Sequence, residues 1–378
     1  MDKIQLIATA AFGLEAVVAR EVKDLGYEDV AVENGRVTFT ADLAGICRCN
    51  LWLRTADRVL IKIGEFKATT FEELFQNTKA LPWHQWIPED AEFPVEGKSI
   101  RSKLFSVSDC QAIVKKAVVE KMKERYNREW FNESGGKYKI EVALLKDIAT
   151  LTIDTSGAGL HKRGYRTLSN RAPLKETLAA GLILLSYWNP DRVLIDPLCG
   201  SGTIPIEAGL IGKNIAPGMN RNFVSEDWTI IPKNLWWEAR KEAHDLAQFD
   251  RPLRIYGSDI DGEVLKLARY HIGEAGLEDD IHIQKLGVGE LASRFQYGCI
   301  ITNPPYGERI GELKEVEGLY KEMGKVFKGM ETWSKYIITS HPDFQELFGK
   351  KADKKRKLYN GRIECTYYQY YGPRPPKE

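Results

Sequence analysis

The sequence predicts an α/β protein whose C-terminal half is Rossmann-like, a mostly parallel sheet with an antiparallel last strand, preceded by smaller α+β regions. Three observations carry that expectation. From about residue 173 onward, strand-like apolar runs alternate with helical spacings. Aspartates and glycines stand where strands run out toward helices. Ahead of residue 155, short strands and a tight-turn signal dominate instead.

The 378 residues exceed one typical domain. The expected division is residues 1–50, 51–155, a connector at 156–172, and 173–378. In the first segment, residues 4–8 form a short strand. Leu14, Val17, Val18, Val22 and Leu25 give residues 13–26 a helical spacing closed by Gly26. Residues 30–32 and 37–39 flank Asn34-Gly35, a hairpin signal, so the start reads as a ferredoxin-like half-fold. In the second segment strands are predicted at 59–63, 99–104, 138–145 and 148–153, with a helix at 109–125 capped by Ser108 or Asp109. Its buried face is Ile113, Val114, Ala117, Val118 and Met122; Lys115 and Lys116 are among the basic residues on the rest of the helix, either a contact surface or plain solvated charge. Residues 79–97 read as an irregular loop.

A helix is predicted at 173–187, then strands at 193–196, 255–259, 281–285, 299–303 and 336–340. Helices at 205–211, 235–246, 263–275 and 319–327 fall between them. Asn360-Gly361 between 356–359 and 363–371 folds the final strand back antiparallel.

Composition narrows the function classes. The 54 basic and 53 acidic residues cancel, so any polyanion must be held by local patches. The six cysteines lack zinc-ligand spacing and do not form a disulfide framework, which fits a reducing cytosol and predicts a cytoplasmic protein without metal. No apolar run approaches the ~20 residues of a membrane span.

Three motifs carry chemistry. Asp196-Pro197-Leu198-Cys199-Gly200-Ser201-Gly202-Thr203 is a strand end running through a glycine loop into a helix, where backbone approaches a ligand closely and helix N–H groups are free. It lacks the Lys-Ser/Thr pair of a triphosphate loop. Asp196 before it is suited to hold the ammonium of an amino-acid-like ligand. Asp259, at the strand end within Gly257-Ser258-Asp259-Ile260-Asp261, is placed to accept both ribose hydroxyls, with Ile260 against an adenine face; an aspartate there also serves as a helix cap. Asn303-Pro304-Pro305-Tyr306 decides the chemistry. The Asn303 side-chain oxygen and the Pro304 carbonyl would accept both hydrogens of a planar amine and turn its lone pair toward an electrophilic methyl, with Tyr306 stacked on the flipped base. Cys199 has no base beside it in sequence and reads as a packing residue.

Together these motifs resemble the class I S-adenosylmethionine-dependent methyltransferases, and more narrowly the THUMP-containing guanine-N2 RNA methyltransferases. The runs His161-Lys162-Arg163-Gly164-Tyr165-Arg166, Ala172-Pro173-Leu174-Lys175-Glu176 and Ala216-Pro217-Gly218-Met219-Asn220-Arg221 are similar to that family as well. The resemblance covers essentially the whole chain and is nearest to the bacterial enzymes that make N2-methylguanine in 23S rRNA. It implies a THUMP RNA-binding domain at 51–155 and a methyltransferase domain at 173–378. The implied donor is S-adenosylmethionine, and the implied partner is 23S rRNA or a large-subunit precursor, met by a monomer. By resemblance Asp196, Gly200, Gly202, Asp259 and Ile260 line the cofactor, Arg171, Pro173 and Thr177 border its methionine end, and Asn303, Pro304, Pro305 and Tyr306 hold the base. His161, Lys162, Arg163 and Arg166 join Lys115 and Lys116 as candidate RNA contacts. A departure from the pattern is Gln284-Lys285-Leu286-Gly287-Val288-Gly289-Glu290, which offers no clear Asp for the adenine amine.

The turn itself leaves alternatives open, because enzymes of adenine N6, cytosine N4 and glutamine amides carry it too. A tRNA guanine, an adenine N6, and a non-catalytic RNA-binding assembly factor are the competing readings. A chain cut before about Thr155 is expected to lose RNA binding and keep cofactor binding.

Overall fold

The computed structural model describes residues 3–168, 174–307 and 313–376. Its first half contains β1 (Ile4–Ala10), α1 (Glu15–Asp24), β2 (Ala31–Glu33), β3 (Arg36–Ala41), α2 (Leu43–Trp52), β4 (Ala56–Lys67), α3 (Phe71–Ala80), β5 (Val95–Ile100), α4 (Val107–Tyr126), β6 (Ile140–Leu145) and β7 (Ile148–Asp154). The second contains α5 (Glu176–Leu184), β8 (Leu194–Asp196), α6 (Thr203–Gly212), α7 (Lys233–Leu246), β9 (Ile255–Asp259), α8 (Gly262–Glu274), β10 (Ile281–Lys285), β11 (Cys299–Thr302), α9 (Leu313–Lys328), β12 (Ser334–Thr339), α10 (Phe344–Leu347), β13 (Lys354–Asn360) and β14 (Ile363–Tyr370).

Seven strands in the order β2-β3-β1-β4-β7-β6-β5 make the N-terminal sheet, antiparallel except between β5 and β6. The C-terminal sheet runs β10-β9-β8-β11-β12-β14-β13, parallel from β10 to β12, with β14 antiparallel to both its neighbours as the Asn360-Gly361 turn predicts. This is the mostly parallel, Rossmann-like sheet expected from the alternation of strand and helix.

Several boundaries move. α4 starts at Val107, so Ser108 and Asp109 lie inside its first turn rather than capping it, and Asp109 there suits the positive end of the helix. Its buried face is as read, except that Ile113 is half-buried and Cys110 joins the core. β5 covers residues 95–100 instead of 99–104, because Arg101 at φ +50° turns the chain out of the sheet. Three helices were not expected, among them the four-residue α10. α2 is capped by Asp42, which accepts the Gly45 N–H at 2.8 Å, and is buried on nearly every side, leaving no amphipathic period to read. α3 carries a Thr70-x-x-Glu73 capping signal that the sequence does display: Thr70 accepts the Glu73 N–H at 3.1 Å.

The two sheets do not have separate cores. Ala216, Phe223, Trp228, Ile231, Trp236, Ala239 and Ala243, all from the segment between α6 and β9, are buried in the N-terminal core. Trp228 stacks on Tyr138 with ring centroids 4.3 Å apart, and its indole donates to the Lys137 carbonyl at 2.9 Å. In return Leu14 and Val17 are buried in the C-terminal core. Arg48 forms a two-pronged pair with Glu242 at 2.7 and 2.8 Å, and Arg54 donates to the Ile215 carbonyl at 2.8 Å. Removing a buried Trp side chain costs about 3–5 kcal/mol, so a chain cut at residue 155 would expose much of this shared core and unfold rather than report RNA binding alone.

Candidate active site

Parallel strands all end on one side of the sheet, and the loops there carry the expected motifs. β8 ends on Asp196, which is 1% exposed. Its Oδ1 accepts the Thr302 hydroxyl at 2.7 Å and the Leu198 N–H at 3.2 Å. Burial, opposed by these bonds and reinforced by the nearby Asp259 charge, pushes its carboxyl up to about 7. The loop beyond turns through Gly200 at φ +50° and Gly202 at φ +84°, the residue before α6. A Cβ on residue 200 would meet nothing within 4 Å, so the space in front of the loop is open.

Asp259 ends β9. Its Oδ2 accepts the Gly200 N–H and its Oδ1 the Asp261 N–H, each at 3.0 Å. The helix cap is Asp261, which accepts the Glu263 N–H at 2.9 Å, so Asp259 is not spent on capping α8. Each of its oxygens keeps a free lone pair for a hydroxyl donor. Ile260 beside it is 71% exposed.

Asn303 follows β11 and opens into the same cavity as Asp196, Cys199, Gly200 and Thr203. Pro304 is buried, and the Pro305 carbonyl is held by the Tyr320 hydroxyl at 2.7 Å. Tyr306 is turned inward: its hydroxyl donates to Asn303 Oδ1 at 2.6 Å, and Asn360 donates to that hydroxyl at 3.4 Å. Burial raises the Tyr306 hydroxyl well above its ordinary range, so it stays a donor. The oxygen assigned to a target amine thus already has one partner, and the ring assigned to stacking packs against the C-terminal core. Cys199 is buried and its thiol is pushed upward by desolvation, as a packing residue should be.

Other candidates sit elsewhere. Arg163 is 3% exposed and pairs with Glu207 at 3.4 Å, which also accepts the Tyr165 hydroxyl at 3.1 Å. A guanidinium buried this way cannot reach RNA. Arg166 lines the cavity, paired with Glu176 at 2.9 Å and donating to the Thr203 hydroxyl, which makes it part of the pocket wall. His161 is half-buried; desolvation and the Lys175, Lys162 and Arg163 charges outweigh Asp57 and lower it to about 4, leaving a neutral ring. Lys115 is held by Glu133 at 2.7 Å and the Phe93 carbonyl at 3.0 Å, which removes it as a free cation. Lys116 and Lys162 are exposed. Thr177 is buried against Asp57, its hydroxyl donating at 3.3 Å, and does not line the cavity; Leu174 does. Arg171 and Pro173 lie outside the described residues.

His271 is a further residue of the cavity. It is fully buried in the cavity wall with its ring nitrogens 3.2 Å from the Ser201 carbonyl and 3.0 Å from that of Leu168, joining the glycine loop to the connector. Nothing in the sequence marks it, since its partners are backbone atoms. Among the described residues no group of three or more His, Cys, Asp or Glu gathers to hold a metal, and no helix is long and apolar enough to cross a membrane.

The arrangement suits an adenosyl amino acid: free carboxylate lone pairs for a ribose, a buried carboxylate near a glycine loop, an exposed isoleucine, and an amide at the cavity mouth. Comparison with known proteins agrees. Residues 163–369 match the RMKL-like methyltransferase domain, residues 5–60 the RlmL ferredoxin-like domain, and residues 68–154 the THUMP domain. The chain is 55% identical to the "Putative RNA methyltransferase YpsC" of Bacillus subtilis, across 100% of this chain and 98% of that one. It is 32% identical to the "Ribosomal RNA large subunit methyltransferase K/L" of Psychromonas ingrahamii, across 95% of this chain but 49% of that protein. The solved structure of "SMU.472, a putative methyltransferase complexed with SAH" is 47% identical, with TM-score 0.95 and full coverage of both chains. The chain belongs to the RMKL-like methyltransferase family.

Proposed function

We propose that this protein transfers a methyl group from S-adenosylmethionine to the exocyclic N2 amine of a guanine in 23S rRNA. One observation carries the chemistry: the Asn303 amide opens into the cavity bounded by Asp196 and the glycine loop. The SAH bound to a relative of the same fold and the K/L enzyme's name support the donor and the RNA class. S-adenosylmethionine, when bound, supplies a methyl group made electrophilic by its sulfonium.

The chain's own residues do the rest. Asp259 takes the ribose hydroxyls, Asp196 the ammonium, and Gly200 and Gly202 let the backbone close on the ligand; Ile260 covers the adenine. Asn303 Oδ1 accepts one amine hydrogen with its remaining lone pair, or after Tyr306 has swung off it to stack on the base. The Pro304 carbonyl accepts the second. Both contacts localise the nitrogen lone pair and orient it, and the proton leaves once the nitrogen is methylated. Lys116 and Lys162 contribute to RNA affinity from the surface. We also propose residues 1–50 and 51–155 as ferredoxin-like and THUMP units, 156–172 as connector and 173–378 as the methyltransferase domain, in a monomeric cytoplasmic protein.

The test is incubation with labelled S-adenosylmethionine and either unmodified 23S rRNA or tRNA, followed by nucleoside separation. Label in N2-methylguanine from 23S rRNA is expected. Label in N6-methyladenine would refute the base, and label from tRNA alone would refute the RNA. No transfer to any nucleic acid would favour an assembly factor.

A further inference from the structure

Phe12 stands in the turn between β1 and α1 and is 46% exposed. An exposed phenylalanine alone calls for no explanation. The turn that carries it is nevertheless tightly fixed. Gly13 has φ +93° and donates to Glu15 Oε2 at 2.8 Å, while Glu15 Oε1 accepts the Gly35 N–H of the neighbouring hairpin at 3.0 Å. A Cβ on residue 13 would fall 2.4 Å from the Lys357 carbonyl of β13, so the turn is pressed directly against the C-terminal hairpin. Leu14, next along, is buried in the C-terminal core.

The Phe12 ring meets Tyr359 edge to face, with centroids 5.6 Å apart and an interplanar angle of 89°. The next residue, Asn360, donates to the Tyr306 hydroxyl at 3.4 Å, so the ring pair stands one residue from a contact with the base-holding turn. Along β13, Lys355, Lys357 and Tyr359 alternate onto one face. Lys357 and Tyr359 share Glu364 at 2.6 and 3.1 Å, which disfavours a phosphate beside the rings. Lys355 and Arg362, exposed on either side, have no ion pair among the described residues.

We propose that the exposed Phe12 ring, braced at right angles by Tyr359, is the stacking platform for the RNA base next to the one that is methylated, with flanking phosphates facing Lys355 and Arg362. An aromatic ring offers a face to any base, so the platform positions the strand without selecting its sequence. The proposal rests on the RNA reading above. Phe12→Ala should weaken binding of an unmodified 23S rRNA transcript about tenfold, while cofactor affinity and Tm stay unchanged. Phe12→Trp should bind like wild type, and Phe12→Leu should resemble Phe12→Ala. Wild-type RNA affinity in Phe12→Ala overturns the platform, and so does full rescue by Phe12→Leu, which would mean that bulk and not a ring is needed. If wild-type protein methylates no RNA, the RNA reading fails first and the platform falls with it.

Discussion

Both halves of the molecule are built on seven strands, but their strand ends are arranged differently. In the N-terminal sheet nearly every neighbour is antiparallel, so carboxyl ends alternate between the two edges and no set of them converges. In the C-terminal sheet β8, β9 and β11 run parallel and deliver Asp196, Asp259 and Thr302-Asn303 to one edge. Thr302 donating to Asp196, and Gly200 to Asp259, shows how closely these ends meet. A parallel sheet turns separate sequence motifs into one site; an antiparallel sheet of equal size offers a surface. The shared core then holds that surface at a fixed attitude to the site.

Substitutions can break or sharpen this contrast. The largest effect is expected at the joint. Arg163→Ala leaves Glu207 buried without its charge partner and should cost about 3–5 kcal/mol in urea unfolding. A loss of RNA affinity at unchanged stability would instead restore Arg163 as a surface contact. Within the site, Asn303→Ala should lower kcat about 10²–10³-fold and leave cofactor binding by calorimetry nearly intact; retained turnover would mean that another group orients the amine. Asp259→Ala removes a charged acceptor and should weaken cofactor binding about tenfold or more, with little effect on RNA binding. If cofactor affinity is unchanged, the ribose lies elsewhere.

A pH dependence is expected as well. Asp196 has its carboxyl raised from 3.8 to about 7. Between those values the folded protein holds a proton that the unfolded chain has released, so stability falls as pH rises through the window and levels off above it. Asp196→Asn keeps Oδ1 for Thr302 and Leu198, and should flatten that fall and raise Tm by a few degrees at pH 8. It should also weaken cofactor binding. A Tm that stays as pH-dependent as wild type would assign the titration to another group.

Much of the site was legible because its motifs are local: a glycine loop, an acidic strand end and a Pro-Pro turn each announce themselves within a few residues. The RNA candidates were less so. A basic run such as 161–166 reads the same whether its side chains face solvent or a partner, and Glu207, which buries Arg163, stands forty-four residues away. α2 leaves no trace because a helix buried on nearly every side has no period, whereas the α3 cap is written in Thr70 and Glu73.

The sequence by itself determined the strand and helix alternation, the antiparallel return at Asn360-Gly361 and the three chemical motifs, since each depends on local periodicity, turn chemistry or residue type. Tertiary structure alone decided that Tyr306 rests on Asn303, that Asp261 rather than Asp259 caps α8, that Arg163 and Arg166 face inward, and that the two halves share a core. Those outcomes depend on which distant groups are brought into contact, and burial then decides whether a charge is a surface contact or a strut.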